Sequence, residues 1–271
     1  MKIFAIRDES AAVQTDLAYL FYYEQEKRFY IELPEDADAW NTPMILSTFV
    51  KKGETSVNSY WSKLWVQQRI VPSDRQNLGQ VLKDNHLKEY DEFDLLMLAM
   101  GRCAQDDYYL VPIEESQLPE QMRKRFAKRI EDIIPLDDYA LLVFFRDGSV
   151  KKASMKTHFE KIKAFQPLLR DEELFFSVHL QPGGHGVEWD LNMSISDAVL
   201  YRMGKLVPLT VSDFRNFVVH RIVNAAEAAE LLGCTRQNIE YLTRTGKLHP
   251  LKASGKNTLY LKSEILKRNW L

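Results

Sequence analysis

Six polar side chains fall close together near the C-terminus: Thr235, Arg236, Gln237, Asn238, Tyr241 and Arg244. Their types suit one chemistry, the reading of base edges. An arginine guanidinium can donate two parallel hydrogen bonds to guanine, and an asparagine or glutamine amide can bond adenine in the same paired way. A second set, Lys252, Ser254, Lys256 and Asn257, follows a short distance on. Lysines and small polar residues at a hairpin tip suit the phosphate backbone or the minor groove. No nucleophile–base constellation is legible along the chain, so no catalytic residue is assigned and an enzyme is not expected.

Such side chains act only if something rigid presents them. Asn224 is a good N-cap ahead of an alanine-rich helix over 225–232. Gly233-Cys234 makes a sharp turn, Thr235 caps a second helix over 236–245, and Gly246 closes it. Ile239 and Leu242, three apart, face the first helix. Two short strands are expected at 247–251 and 258–261, around the turn Ser254-Gly255-Lys256-Asn257. Ser263-Glu264 begins a last helix. Helix, turn, helix, hairpin, helix is the order of a small winged helix-turn-helix.

The residues sharpen this. Val223-Asn224-Ala225-Ala226-Glu227-Ala228-Ala229-Glu230-Leu231-Leu232-Gly233, then Thr235-Arg236-Gln237-Asn238-Ile239 and Thr245-Gly246-Lys247-Leu248, closely resemble MerR-like and excisionase-like DNA-binding domains. The resemblance covers nearly all of 221–271. It implies binding of double-stranded DNA, for which the chemistry of the side chains offers Thr235, Arg236, Gln237, Asn238, Tyr241, Arg244, Lys252, Lys256 and Asn257 as the contacts. Charge agrees. Nine lysines and arginines face four acids over 221–271, about +5 in a chain whose net charge is −2. Basic charge is gathered where phosphate would be met.

Composition excludes other classes. At 271 residues the chain has room for two or three domains. Hydrophobic residues are 45% and charged residues 27%, as in ordinary soluble domains. There is no leader-like apolar run at the N-terminus and no stretch long enough to span a bilayer, so a cytoplasmic location is expected. Two distant cysteines, Cys103 and Cys234, argue against a disulfide framework and a zinc site. His179, His185 and Asp190 could suggest a metal, but no further ligand sits at fixed spacing. Gly183-Gly184-His185-Gly186 lacks the helix start and Lys-Ser/Thr of a phosphate loop and reads as a flexible turn. No metal or other cofactor is expected.

The fold class expected is α+β, as two small α+β domains (1–115 and 116–209) followed by the winged helix-turn-helix (210–271). In the first block, strands are predicted at 2–6, 17–23 and 28–33, with 24–27 as a hairpin turn. Helical spacing follows over 56–68, from 78 after a capped start at 73–76, and over 90–100, ending at Gly101. In the second block a helix is predicted over 121–130, where Met122, Phe126 and Ile130 recur every four residues. Strands are predicted at 139–145, 150–155, 175–180 and 187–189, and a helix over 196–203. Residues 210–219 link the blocks as a helix. The aromatics Tyr60, Trp61, Trp65, Phe93, Tyr108 and Tyr109 are expected mostly in the core, with a few of them forming a protein-binding patch.

Two further resemblances bear on these blocks. Ile134-Pro135-Leu136, Arg146-Asp147-Gly148, Pro167-Leu168-Leu169, Glu173-Leu174-Phe175 and Val187-Glu188-Trp189-Asp190 ahead of Ile195-Ser196 resemble domain-of-unknown-function family 2442 over 129–204. That implies a small α/β fold, often accompanied by helix-turn-helix domains. The run from Pro72 to Asn77, Leu95-Leu96-Met97 and Gly101-Arg102-Cys103-Ala104 are similar to the N-terminal subdomain of HipA-like toxin kinases, over 17–112. No catalytic-loop His-Arg-Asp or Asp-Phe-Gly follows. The resemblance implies a non-catalytic, antitoxin-type partner of such a kinase that represses its own operon. The alternative is an excisionase-like factor that bends DNA. A single helix-turn-helix reads a half-site, so dimeric binding, as a homodimer, or tandem binding is expected.

Overall fold

The computed structural model describes residues 1–189, 193–254 and 257–268. The fold is α+β and forms two compact units: Met1–Asp147 with Ala153–Gly204, and Gly148–Lys152 with Lys205–Leu271.

The first unit opens with β1 (Lys2–Asp8), β2 (Ala18–Tyr23) and β3 (Arg28–Glu32). Next come α1 (Met44–Lys51), β4 (Ser56–Val57), α2 (Ser59–Gln67), α3 (Leu78–Asp84), α4 (Glu92–Leu98) and β5 (Tyr108–Ile113). The five strands form an antiparallel sheet in the order β4-β3-β2-β1-β5. Side chains alternate across a strand, and here both faces are covered. Phe4, Ile6, Leu20, Tyr22, Phe29 and Ile31 form one core with Leu46, Trp65, Val66 and Leu96 from the helices. Ile3, Ala5, Tyr19, Phe21 and Tyr30 form the opposite core with Leu118 and Met122. A sheet buried on both sides needs apolar runs rather than alternation, which explains sequences such as Ala18-Tyr19-Leu20-Phe21-Tyr22.

Met122 belongs to α5 (Glu120–Phe126). The helix expected to reach Ile130 stops at Phe126, and Ile130 instead begins β6 (Ile130–Leu136), paired with β7 (Ala140–Phe145). The four-residue spacing of Met122, Phe126 and Ile130 is shared by two elements serving two cores: Met122 lies under the first sheet, Ile130 in the core of residues 130–205. Beyond β8 (Val150–Ser154) come α6 (Lys156–Lys161), α7 (Glu172–Phe176), β9 (His179–Leu180), β10 (Gly186–Trp189), β11 (Met193–Ser196) and α8 (Asp197–Met203). The strand predicted at 175–180 is mostly helix. Asp171 accepts the Leu174 N–H as an N-cap, Glu172 and Glu173 sit in the first turn, and Phe175 turns inward. Only His179 and Leu180 pair as strand, against β10.

Other boundaries shift for local reasons. The helix predicted from 56 begins at Ser59, because Ser56 and Val57 pair with β3 and Asn58 supplies the cap. At 73–76 there is no side-chain cap for α3; Asn77 occupies the cap position, and its amide oxygen accepts from Arg75 Nε. Trp65 and Phe93 are buried as expected. Tyr60 and Trp61 are 66% and 40% exposed, which places them on the surface instead.

In the second unit, Lys151 and Lys152 of β8 pair with β12 (Lys205–Leu206). Then come α9 (Val211–Arg221), β13 (Ile222–Asn224), α10 (Ala225–Leu232), α11 (Arg236–Arg244), β14 (Lys252–Ser254), β15 (Asn257–Leu261) and α12 (Lys262–Lys267). β13 extends the hairpin to a three-stranded sheet, β13-β15-β14. The strand predicted at 247–251 is not formed. The amides of Lys247 and Leu248 both donate to Leu242 O and wrap the end of α11, and Leu248 is buried. The hairpin therefore starts at Lys252.

Candidate nucleic-acid interface

The second unit is built around a small core of Val223, Ala228, Ala229, Ile239, Leu248, Tyr260 and Ile265. α10 starts at a capping box, in which Asn224 Oδ1 accepts from the Ala226 and Glu227 amides while Glu227 accepts from the Asn224 amide. Gly233 ends it with φ 62°, a left-handed conformation that turns the chain directly into Thr235. Thr235 Oγ1 accepts from the Asn238 amide at 3.3 Å and caps α11. Ile239 is fully buried, Leu242 half-buried, and Thr243 shares a 2.8 Å hydrogen bond with the Tyr260 hydroxyl. One face of α11 is thus fixed to α10 and the sheet.

The remaining face carries the predicted residues. Thr235, Arg236, Gln237, Asn238, Tyr241 and Arg244 are all exposed. At 100° per residue, Gln237, Tyr241 and Arg244 lie opposite Ile239, with Arg236 and Asn238 on the flanks. The Arg244 guanidinium sits 5.9 Å from the Tyr241 ring. Thr235 differs from the others, since its hydroxyl already serves the helix. Glu240, not among the expected contacts, is also exposed here, and a carboxylate can accept from the cytosine amino group. On the hairpin, Lys252 and Asn257 are exposed, and Ser254 pairs with Asn257. Lys256 lies outside the described residues.

A second concentration of ionisable groups was not foreseen. In the first unit, Glu32, Arg129, His185 and Asp197 are buried together. Glu32 ends β3. It accepts from Arg129 Nη2, from Arg125 Nη2 at 3.0 Å and from Ser56 Oγ at 2.7 Å. Arg129 Nη1 donates to His185 Nδ1 at 2.7 Å and lies 3.4 Å from Asp197 Oδ2. Arginine only donates, so the histidine is the Nε2–H tautomer, which can donate to the Tyr23 hydroxyl at 3.1 Å. The imidazole stacks on Tyr30, centroids 3.9 Å apart. Burial and the Arg129 charge push the His185 pKa down to about 4. Burial leads the rise of Asp197 to about 6. Burial works against the Glu32 carboxylate, yet the Arg129 and Arg125 guanidinium groups hold it well below its ordinary range.

The glycine-rich turn makes this cluster possible. Gly183 and Gly184 have φ of 67° and 74°, and a Cβ on them would lie 1.8 Å from Tyr23 Oη and 2.1 Å from Ile130 O. The turn is therefore packed rather than loose, and it delivers His185 inward. His179 instead stays on the surface with Glu188, which Arg28 also holds at 2.6 Å. Asp190 lies outside the described residues. Among the described residues no group of three or more His, Cys, Asp or Glu could hold a metal ion, and no helix is long and apolar enough to cross a membrane.

No curated protein and no solved structure matches the chain. Residues 130–205, the segment that supplies Arg129's following strand, His185 and Asp197, match the model of a family described as protein of unknown function, DUF2442.

Proposed function

We propose that residues 221–271 bind double-stranded DNA, with α11 in the major groove and the β14–β15 hairpin against the backbone, and that the protein is a sequence-specific transcription regulator. The observation that carries this is the presentation of α11. Arg236, Gln237, Asn238, Tyr241 and Arg244 are exposed together on a helix whose other face is sealed by Ile239 and Leu242. The excess of basic charge over 221–271 supports it. Reading both halves of a two-fold site requires a second copy of this unit.

The finer form of the proposal is an antitoxin-type autorepressor whose N-terminal half holds a HipA-like kinase. It rests on the resemblance of residues 17–112. The exposed Tyr60 and Trp61, whose rings meet edge to face at 5.5 Å, are of the kind protein partners use. Gel-shift titration of the full chain on duplexes selected from a random pool tests the DNA reading. Arg236→Ala should weaken and relax specific binding, and Lys252→Ala should weaken binding to all sequences alike. Unchanged affinity in both removes the assignment. Pull-down with the product of the adjacent gene tests the finer role.

A further inference from the structure

A helix-turn-helix reads one half of a two-fold site, so the DNA binding proposed above calls for a second copy of this chain. The surface for that copy is marked by α9. This helix leads directly into β13, a strand of the sheet that carries the hairpin. None of its eleven side chains is buried. Apart from its two arginines it is built of valine, phenylalanine, serine, aspartate, asparagine and histidine, all weaker helix formers. An isolated helix this short is marginal in water, so packing must hold it. The capping box of Thr210 and Asp213 secures only the first turn. Yet Phe217 is 50% and Val218 57% exposed.

One row of the helix is complementary to itself. Asp213, Phe217 and Arg221 lie four residues apart, hence on one face, and all three are exposed. When two α9 helices pack antiparallel about a two-fold axis at Phe217, the two phenyl rings meet and each Asp213 faces the partner's Arg221. A closed two-fold contact requires this reciprocity. Antiparallel packing also opposes the helix dipoles, and the acid sits in the first turn and the base in the last. A parallel pair would set acid against acid and base against base. Phe214 and Arg215 have partners within the chain, and the row does not use them.

We propose that this row of α9 is a homodimer interface: two copies of the chain pair antiparallel about Phe217, each Asp213 against the partner's Arg221, and so present two α11 helices to a two-fold DNA site. The need for two copies rests on the DNA-binding reading; the choice of surface does not. An eleven-residue helix is roughly 16 Å long, so the contact falls short of the about 1,200 Å² of a standard stable interface. The dimer is therefore weak when free and strengthened on DNA that carries both half-sites.

Sedimentation of the full chain without DNA, at low salt and rising concentration, tests the surface. The wild type should pass from monomer to dimer. Arg221→Glu sets acid against acid and Asp213→Lys sets base against base, so each alone should weaken self-association on the order of tenfold. An equimolar mixture of the two variants should associate as the wild type does, because both contacts of the mixed pair join opposite charges. Phe217→Asp, which leaves the capping box intact, should abolish the dimer. A wild type that stays monomeric at sub-millimolar concentration overturns the proposal. So does a mixture that associates no better than either variant alone, or a dimer that survives Phe217→Asp. Gel shifts on selected duplexes with one or two half-sites separate this inference from the DNA reading. Phe217→Asp should bind one half-site as the wild type does and lose at least about tenfold on two. A chain that dimerises through α9 without binding DNA removes the DNA reading and leaves the interface standing. DNA binding by a chain whose α9 variants sediment as the wild type does removes the interface alone.

Discussion

Arg129 Nη1 and Glu32 Oε1 both face Nδ1 of the buried His185, at 2.7 and 3.2 Å. The arginine is the only cation of the cluster that touches Glu32, His185 and Asp197 together. Removing it leaves Glu32 and Asp197 buried with Arg125 as their remaining cation. Arg129→Met should destabilise the first unit by about 3–5 kcal/mol, the cost of stranding a buried charge. Urea denaturation at pH 7.5 measures it. A loss near zero would mean that Arg125 alone satisfies Glu32.

Acid stability should depend on His185. Its folded pKa, about 4, lies below its unfolded value of 6.5. The stability it contributes is complete above 6.5 and is lost as pH falls from 6.5 toward 4. His185→Asn keeps an acceptor for Arg129 and cannot titrate, so its unfolding midpoint should fall less than the wild type's over that window. Parallel pH profiles for the two proteins would exclude the neutral, buried state of the ring.

The glycine turn should tolerate no side chain. Gly184→Ala places a Cβ against Ile130 O as well as straining a positive φ, and should cost at least ~3 kcal/mol. Gly148→Ala is the control: its φ is also positive, 83°, but nothing lies within 4 Å, so only the ~1–2 kcal/mol of left-handed backbone is lost. Thermal denaturation of both variants compares them directly, and equal losses would show that packing at Gly184 is slack.

Thr235 and Arg236 are adjacent but should behave differently. Thr235→Ala removes the cap of α11 and should lower stability by about 1 kcal/mol. Arg236→Ala touches only an exposed side chain and should leave stability within about 0.5 kcal/mol while weakening DNA binding. Circular dichroism melts set beside gel shifts separate the positioning residue from the contact residue.

The second unit was legible because its signals are local. Asn224, Gly233, Thr235 and Gly246 mark helix ends within a few residues of the structure they specify. β13 was not legible, since Ile222, Val223 and Asn224 become a strand only by pairing with Leu259, Tyr260 and Leu261 far along the chain. The same holds for the ionic cluster. Glu32 and Arg129 are 97 residues apart, and Arg129 sits in a basic run that reads as solvated surface. The one available signal was the pair Gly183-Gly184 before His185. As sequence that pair suggests a flexible turn, whereas those glycines mark a close approach of backbone to Tyr23 and Ile130.

The most direct test of DNA binding by α11 is fluorescence anisotropy of the full chain on a selected duplex, at several salt concentrations. The wild type should bind, with log affinity falling linearly against log salt. Arg236→Ala/Gln237→Ala/Arg244→Ala should lose selectivity and most affinity, and Lys252→Ala should reduce the salt slope by about 1. No binding at low salt, or a triple variant that binds as the wild type does, would contradict the assignment of α11 as the DNA-reading helix.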